Sequence, residues 1–303
     1  MRPTGPSRTA LGAAVHRAVH QRVEGGAIFA DAFAASILDD ETRARLDEAA
    51  ADPSQRPMRL FIAARSRFSE ETLAACVARG ARQVVVLGAG LDTFSLRNPH
   101  AGQGVSIFEA DHPATQRWKR ERLNQAALAT PASLTFAPVD FERQSLADGL
   151  AAAGFAADRP AFFQWLGVVP YLTRQAFSLS LDFIAGVPDS EVVFDYAEPF
   201  ENYPTERRDN VMAIADSAAA RGEPWLGLYQ PAEISEMLRS KGFRAVEDLG
   251  LAELTERFYG ALKQGIRIGP GGHVVRAGKN VQEGADVAPE RPYSMGELRR
   301  SKC

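Results

Sequence analysis

The sequence predicts an α/β fold, a parallel sheet covered by helices on both faces and preceded by a helical cap. Three observations carry that expectation. Gln83-Val-Val-Val-Leu87 is a β-branched run with Gly80 before it and Gly88 after it, the pattern of a strand buried on both faces. Six more short apolar runs follow, at 104–109, 134–139, 161–169, 191–196, 243–248 and 273–277. Helix-like stretches at 113–128, 144–153, 173–184 and 231–241 separate most of them, and each right-handed crossover between parallel strands must cover one face of the sheet.

Ahead of the first strand, residues 9–50 carry alanine, leucine and charge at helical spacing, with a break at Gly25-Gly26. Asp31 stands near a helix start and is followed by an apolar stripe through Ile37 and Leu38. Pro53 and Pro57 mark a linker over 51–57; helix resumes over 70–79 and Gly80 ends it, because glycine accepts the left-handed conformation after a last turn. Segment 198–225 breaks the strand–helix rhythm. It is polar, helical over 208–220 and too long for a simple connection, so it reads as a lid or substrate-shaping insertion. The division that follows is a cap over 1–68, a sheet domain over 69–278 that contains the insertion, and a polar tail over 279–303.

Composition excludes several classes. Among 303 residues, 35 Lys and Arg against 38 Asp and Glu leave a net charge of −3, without the basic excess of a nucleic-acid binder. A hydrophobic fraction of 45% with 24% charged residues excludes disorder of the whole chain. Cys76 and Cys303 are too few for a disulfide framework or a Cys-rich zinc site. No apolar run approaches the ~20 residues that span a bilayer, and residues 1–23 contain no apolar signal-peptide core. The expectation is a cytoplasmic protein with neither membrane nor nucleic-acid partner; nothing in the sequence speaks to its oligomeric state.

The strongest local signal for chemistry is Gly88-Ala-Gly90-Leu-Asp92-Thr93 directly after the first strand. A strand entering a Gly-x-Gly turn lets backbone approach a ligand closely, with a helix N-terminus facing it. Thr93 stands where the dinucleotide fingerprint has its third small residue, which disfavours a pyrophosphate-bearing cofactor. Some twenty residues on, the second strand ends in Glu109-Ala-Asp111-His-Pro113, where a carboxylate grips ribose hydroxyls in such folds; alternation puts Glu109 and Asp111 on one side. The third strand ends in Asp140-Phe141, a carboxylate beside an aromatic over the same crevice.

Other candidates are weaker. His112, beside Asp111, is a candidate acceptor-site base. His16 and His20 stand at i, i+4, but without a nearby carboxylate at ligand spacing they read as a solvated helix face, and no metal site is expected. Arg207-Arg208 is a solvated pair or an attractor of acidic substrates. No G-x-S-x-G elbow occurs, so a serine hydrolase is not expected.

Taken in order, Ala64-Arg-Ser-Arg-Phe68, the block from Leu87 to Arg97, Glu109-Ala-Asp-His-Pro113, Pro138-Val-Asp-Phe141 and Trp165-Leu-Gly-Val-Val-Pro-Tyr171 resemble the leucine carboxyl methyltransferase family, over roughly residues 10–278. The resemblance implies a class I, Rossmann-like methyltransferase fold of seven strands with the last antiparallel, and S-adenosyl-L-methionine as cofactor. It implies that Arg65 meets the methionine end of the cofactor, that Gly88 and Gly90 form its turn, that Asp111 is the acid of the second strand, and that Asp140 and Phe141 lie beside adenine. The family's glutamate contact to the cofactor is replaced here by Leu166.

The residue types agree with such chemistry. A guanidinium at Arg65 offers bidentate geometry to a carboxylate, and aromatic rings hold a sulfonium by cation–π attraction, for which Trp165, Tyr171 and Phe141 are the candidates. Tyr171 is also an acceptor-site candidate. The expected function is O-methylation of a carboxylate or hydroxyl on a small molecule, with no residue assigned to proton transfer. The alternatives are an NAD(P)-dependent oxidoreductase built on the same turn and a catalytically idle cofactor-binding protein.

Overall fold

The computed structural model of the chain describes residues 7–140 and 144–280. Its elements run α1 (Arg8–Val23), α2 (Asp40–Ala44), α3 (Leu46–Ala51), α4 (Arg56–Ala78), β1 (Gln83–Leu87), α5 (Phe94–Arg97), β2 (Ser106–Asp111), α6 (Pro113–Gln125), β3 (Leu134–Pro138), α7 (Leu146–Ala152), β4 (Ala161–Trp165), α8 (Arg174–Gly186), β5 (Glu191–Ala197), α9 (Thr205–Ala220), α10 (Pro231–Ser240), β6 (Ala245–Leu249), α11 (Leu251–Leu254) and β7 (Gly272–Gly278). The seven strands form one sheet in the order β3-β2-β1-β4-β5-β7-β6, and only β7 runs antiparallel to its neighbours. Strand order reverses between β1 and β4, so the crossover helices diverge there and leave a crevice beyond the strands' carboxyl ends.

The sheet forms where the β-branched and aromatic runs predict it, and its two faces divide the core. Val85 and Leu87 face one hydrophobic cluster with Phe163, Phe177 and Phe194; Val84 and Val86 face the other with Leu60, Phe68 and Leu73 of α4. That is the period-2 alternation of a strand covered on both sides. Caps start the helices as their chemistry dictates: Ser7, Asp39, Ser145 and Thr173 each accept a backbone N–H of the following first turn.

The stretch 31–38, expected as a helix start, is instead a run of turns, and three further boundaries differ from expectation for local reasons. The 51–57 linker is largely helix, since Pro57 sits in the first turn of α4, where its missing N–H removes no intrahelical bond. Helix α4 then runs unbroken through residue 68, burying Leu60, Ala64, Phe68, Leu73 and Cys76 along one stripe. Strand β4 stops at Trp165, because Gly167 takes a φ of +73° and turns the chain into a 3₁₀ turn at Val169–Tyr171. Cys303 and most of the polar tail lie outside the described residues. Among the described residues no helix is long and apolar enough to cross a membrane.

His20 corrects the reading of a solvated histidine face. It is wholly buried, donating from Nδ1 to Glu24 at 3.1 Å while Nε2 accepts the amides of Ile28 and Phe29 at 3.3 and 3.4 Å. The ring locks the 24–29 turn against α1 as a neutral tautomer. Burial, with the Arg59 and Arg65 guanidiniums nearby, drives His16 down to about 4.

Phe163 is completely buried edge-on to Phe155 and Phe183. Phe163→Ala is expected to cost about 3–5 kcal/mol in a denaturant titration; a loss under 1 kcal/mol would show that the core collapses around the gap. Between about pH 6.5 and 4 the folded chain holds His16 neutral while the unfolded chain protonates it, so stability falls as pH falls through that window. His16→Asn is expected to flatten the decline of Tm between pH 6.5 and 4, and an unchanged slope counts against it.

Candidate functional site

The Gly-x-Gly turn is shaped by close approaches that only glycine permits. Gly88 has φ +62°, and a Cβ there would lie 2.4 Å from Val168 Cγ2; Gly90 has φ +47°, and its Cβ would lie 2.8 Å from the Cβ of Ala10. The turn is therefore squeezed between the segment after β4 and the first turn of α1. Asp111, at the tip of β2, closes it: Oδ2 accepts the Gly90 amide at 2.6 Å and Oδ1 accepts the His112 amide at 2.6 Å. Burial pushes the Asp111 carboxyl up, opposed by those two amides.

Above this turn lies a cavity of about 410 Å³, within the usual range of small-molecule sites. Its floor and walls are Leu87 to Asp92, Asp111, Arg65, Gln164 and Gly167. Its roof comes from Ser7, Thr9, Ala10 and Ala13 of the N-terminal segment and from Gly222, Glu223, Pro224 and Leu226 at the end of the insertion. The two roof segments meet where the Thr9 amide donates to Glu223 Oε2 at 3.2 Å.

A second charged element organises the far wall. Arg65 of α4 donates from Nη1 to Asp195 Oδ2 at 2.6 Å, and Asp195 Oδ1 accepts the Gly167 amide at 2.5 Å. Asp195 thus holds the guanidinium and the post-β4 turn in one register. Arg65 Nε is buried without a hydrogen-bond partner, and a Cβ at Gly167 would meet Arg65 Nη2 at 2.9 Å. Gln164 reaches across the floor, accepting from the Ser69 hydroxyl at 3.1 Å and donating to Asp92 Oδ2 at 3.3 Å. Leu166 lines the wall as an apolar residue.

Of the residues singled out in the sequence, Arg65, Gly88, Gly90, Asp111 and Tyr171 all line this one cavity. Burial raises the Tyr171 phenol, which keeps it protonated beside Trp225, Glu223 and Thr9. Asp140 sits past the end of β3, the strand next to β2, and is not among the residues that line the cavity; Phe141 lies outside the described residues. His112 is exposed, outside the cavity wall, and its Nδ1 accepts the Ala114 amide as a helix cap. Glu109, although on the Asp111 side of its strand, is buried against Lys119 Nζ at 2.6 Å and the Ser95 hydroxyl at 2.9 Å, away from the cavity. Trp165 is core rather than mouth, packed on Phe177 and Phe194. Arg208 donates to the carbonyls of Phe200, Glu201 and Tyr203, Arg207 lies over the Tyr203 ring, and neither lines the cavity. Asp195 and Glu223 carry no motif; the one available signal is a second carboxylate, Asp195, after Glu191 inside the otherwise apolar 191–196 run.

Comparison with known proteins matches this chain to the leucine carboxyl methyltransferase family model over residues 10–185. A protein of Bacillus subtilis (strain 168), provisionally named S-adenosyl-L-methionine-dependent methyltransferase YktD, is 32% identical over 294 residues, covering 88% of this chain and 95% of that protein. A Mycobacterium avium (strain 104) protein with the same provisional activity is 31% identical over 219 residues, 68% of this chain and 69% of its own length. Among solved structures, a DUF574 family protein from Streptomyces avermitilis superposes with a TM-score of 0.53 at 18% identity, covering 89% of this chain and 97% of that one, a likeness of fold.

Asp111→Asn is expected to weaken binding of an adenosine-bearing ligand by about 1–3 kcal/mol, since a charge-assisted contact is lost while the fold is kept. Unchanged affinity by calorimetry would remove Asp111 from the ligand's contacts.

Proposed function

The chain belongs to the leucine carboxyl methyltransferase family and is an S-adenosyl-L-methionine-dependent methyltransferase of Rossmann-like fold; from that premise we propose an O-methyltransferase acting on a carboxylate or hydroxyl of a small molecule. The observation that carries this reading is the convergence of the glycine turn, Asp111 and Arg65 on one roofed cavity at the carboxyl ends of β1 and β4.

The cavity fits the cofactor by its own chemistry. The glycine cradle leaves no room for a Cβ at Gly88 or Gly90, and the orphaned Arg65 Nε offers an unspent donor to a carboxylate. Arg65 would hold the amino-acid end, the backbone of Gly88 and Gly90 the middle, and Asp111 the ribose hydroxyls. Asp140, which follows β3 next to β2, would lie with Phe141 beside the adenine end, as the resemblance read in the sequence implies. When bound, the cofactor supplies a methyl group on a positively charged sulfur.

What the chain's residues add is alignment and exclusion of water. In-line displacement at carbon depends on holding two groups in contact distance, and the N-terminal helix and the insertion together close the space in which that happens. A carboxylate acceptor is ionised at neutral pH and needs no base, with an ordinary pKa of about 4; a hydroxyl acceptor profits from one. Tyr171, protonated and on the wall next to the roof, is the candidate donor that orients the acceptor.

S-adenosyl-L-homocysteine at one hundred times its Kd is expected to stabilise the protein by about 2.7 kcal/mol, and NAD(P) to leave it unchanged; the reverse pattern would restore the oxidoreductase alternative. Tyr171→Ala is expected to cut kcat/KM by about tenfold or more while S-adenosyl-L-homocysteine affinity stays within about twofold. Equal losses in both would place Tyr171 against the cofactor instead.

A further inference from the structure

The roof of the cavity differs in charge from its floor. Glu223 lies just past α9, where the insertion returns to the sheet, and lines the cavity beside Tyr171. Its Oε2 accepts the Thr9 amide at 3.2 Å, whereas Oε1 has no hydrogen-bond partner among the described residues. The other described roof residues, Ser7, Thr9, Ala10, Ala13, Gly222, Pro224 and Leu226, bring hydroxyls, backbone and apolar surface but no charge.

The cations near the cavity are committed elsewhere. Arg17 spends Nε on Asp31 and Nη2 on the Leu91 carbonyl. Arg65 is paired through Nη1 with Asp195 on the far wall, and its unpaired Nε is the donor assigned above to the cofactor's own carboxylate. Arg8 and Arg221 flank the two roof segments in sequence, but both are exposed and neither lines the cavity. A carboxylate acceptor entering under this roof would therefore meet a negative oxygen and, among the described residues, no uncommitted cation to balance its charge. A neutral hydroxyl would meet an acceptor with a vacant lone pair, beside a phenol that can donate to it.

We propose that Glu223 binds the acceptor's O–H and takes its proton, so that the substrates of this site are alcohols or phenols rather than carboxylic acids. The inference rests on the O-methyltransferase reading above and narrows it. In the step, a lone pair on the acceptor oxygen forms the new O–CH₃ bond while the S–CH₃ bond breaks with its electrons left on sulfur, giving a neutral thioether. The hydroxyl proton passes to the Glu223 carboxylate, which then returns it to water. The Thr9 amide fixes Oε2, so the same contact that closes the roof aims Oε1 for this task.

The test uses the full chain with S-[methyl-¹⁴C]adenosyl-L-methionine and a small-molecule extract of the source cell, followed by mild alkali. A methyl ester releases its label as volatile methanol, whereas a methyl ether keeps it. The expected result is alkali-stable label in a neutral product, formed at least about tenfold more slowly by Glu223→Gln and largely restored by Glu223→Asp. Calorimetry should show Glu223→Gln binding S-adenosyl-L-homocysteine within about twofold of the parent, which separates a role at the acceptor from damage to the fold or to the cofactor site. Volatile label would overturn the hydroxyl assignment and leave methyl transfer standing, as would label in a cationic, acid-extractable amine. Unimpaired turnover by Glu223→Gln, or lost S-adenosyl-L-homocysteine binding, would remove Glu223 from the acceptor site. The absence of any enzyme-dependent labelled product would sink the O-methyltransferase reading itself.

Discussion

The buried Asp31 carboxylate fastens the N-terminal cap to the glycine turn, and the cavity exists because that joint holds. Asp31 accepts from Arg17 Nε at 3.2 Å and from the Thr93 hydroxyl at 2.7 Å, while Arg17 Nη2 donates to the Leu91 carbonyl at 2.7 Å. Arg97 extends the network, donating to the Thr93 oxygen at 3.1 Å and to both oxygens of Glu70 on α4. Burial works against the charge on Asp31, yet Arg97, Arg17 and the Thr93 hydroxyl hold its carboxyl below the ordinary value. Removing one partner from such a buried network leaves an uncompensated charge, a loss of about 3–5 kcal/mol. With the joint intact, Ala10 comes against Gly90 and the first turn of α1 lies over the cleft.

This joint also explains Thr93. A dinucleotide fold uses a small residue at that position so that helix and strand pack closely around a pyrophosphate. Here the side chain is a structural hydroxyl that bridges the cap to the turn, donating to Asp31 and accepting from Arg97. The residue that argues against NAD in the sequence is thus one that lets a separate helix close the site from above. Arg65 and Asp195 do the corresponding work on the opposite wall, joining α4, the post-β4 turn and β5 through one charge pair.

Much of this was legible in the sequence because it is local. The β-branched run at 83–87, the glycines at 88 and 90 and the acid twenty residues later are positions where backbone geometry dictates residue type, and Arg65, Gly88, Gly90, Asp111 and Tyr171 do share one cavity. Misreadings arose where a local signal had two meanings. Prolines at 53 and 57 read as a linker and proved compatible with a helix start. Trp165 reads as an aromatic at the cleft, but the inward face of β4 takes it into the core. Period-2 alternation correctly places Glu109 on the Asp111 side, yet says nothing of depth, and two residues deeper the carboxylate is sealed against Lys119.

What a single sequence settles here is which segments are strands, where the backbone must turn on glycine, and which family the chain joins, because each depends on neighbours a few residues apart or on motifs that recur intact. The cavity's enclosure belongs to the fold alone: Thr9 meets Glu223 across 214 residues and Arg65 meets Asp195 across 130. Contacts of that separation leave no periodic trace in composition or spacing. They arise only once the sheet order brings β1, β4 and β5 side by side and the cap settles over their carboxyl ends.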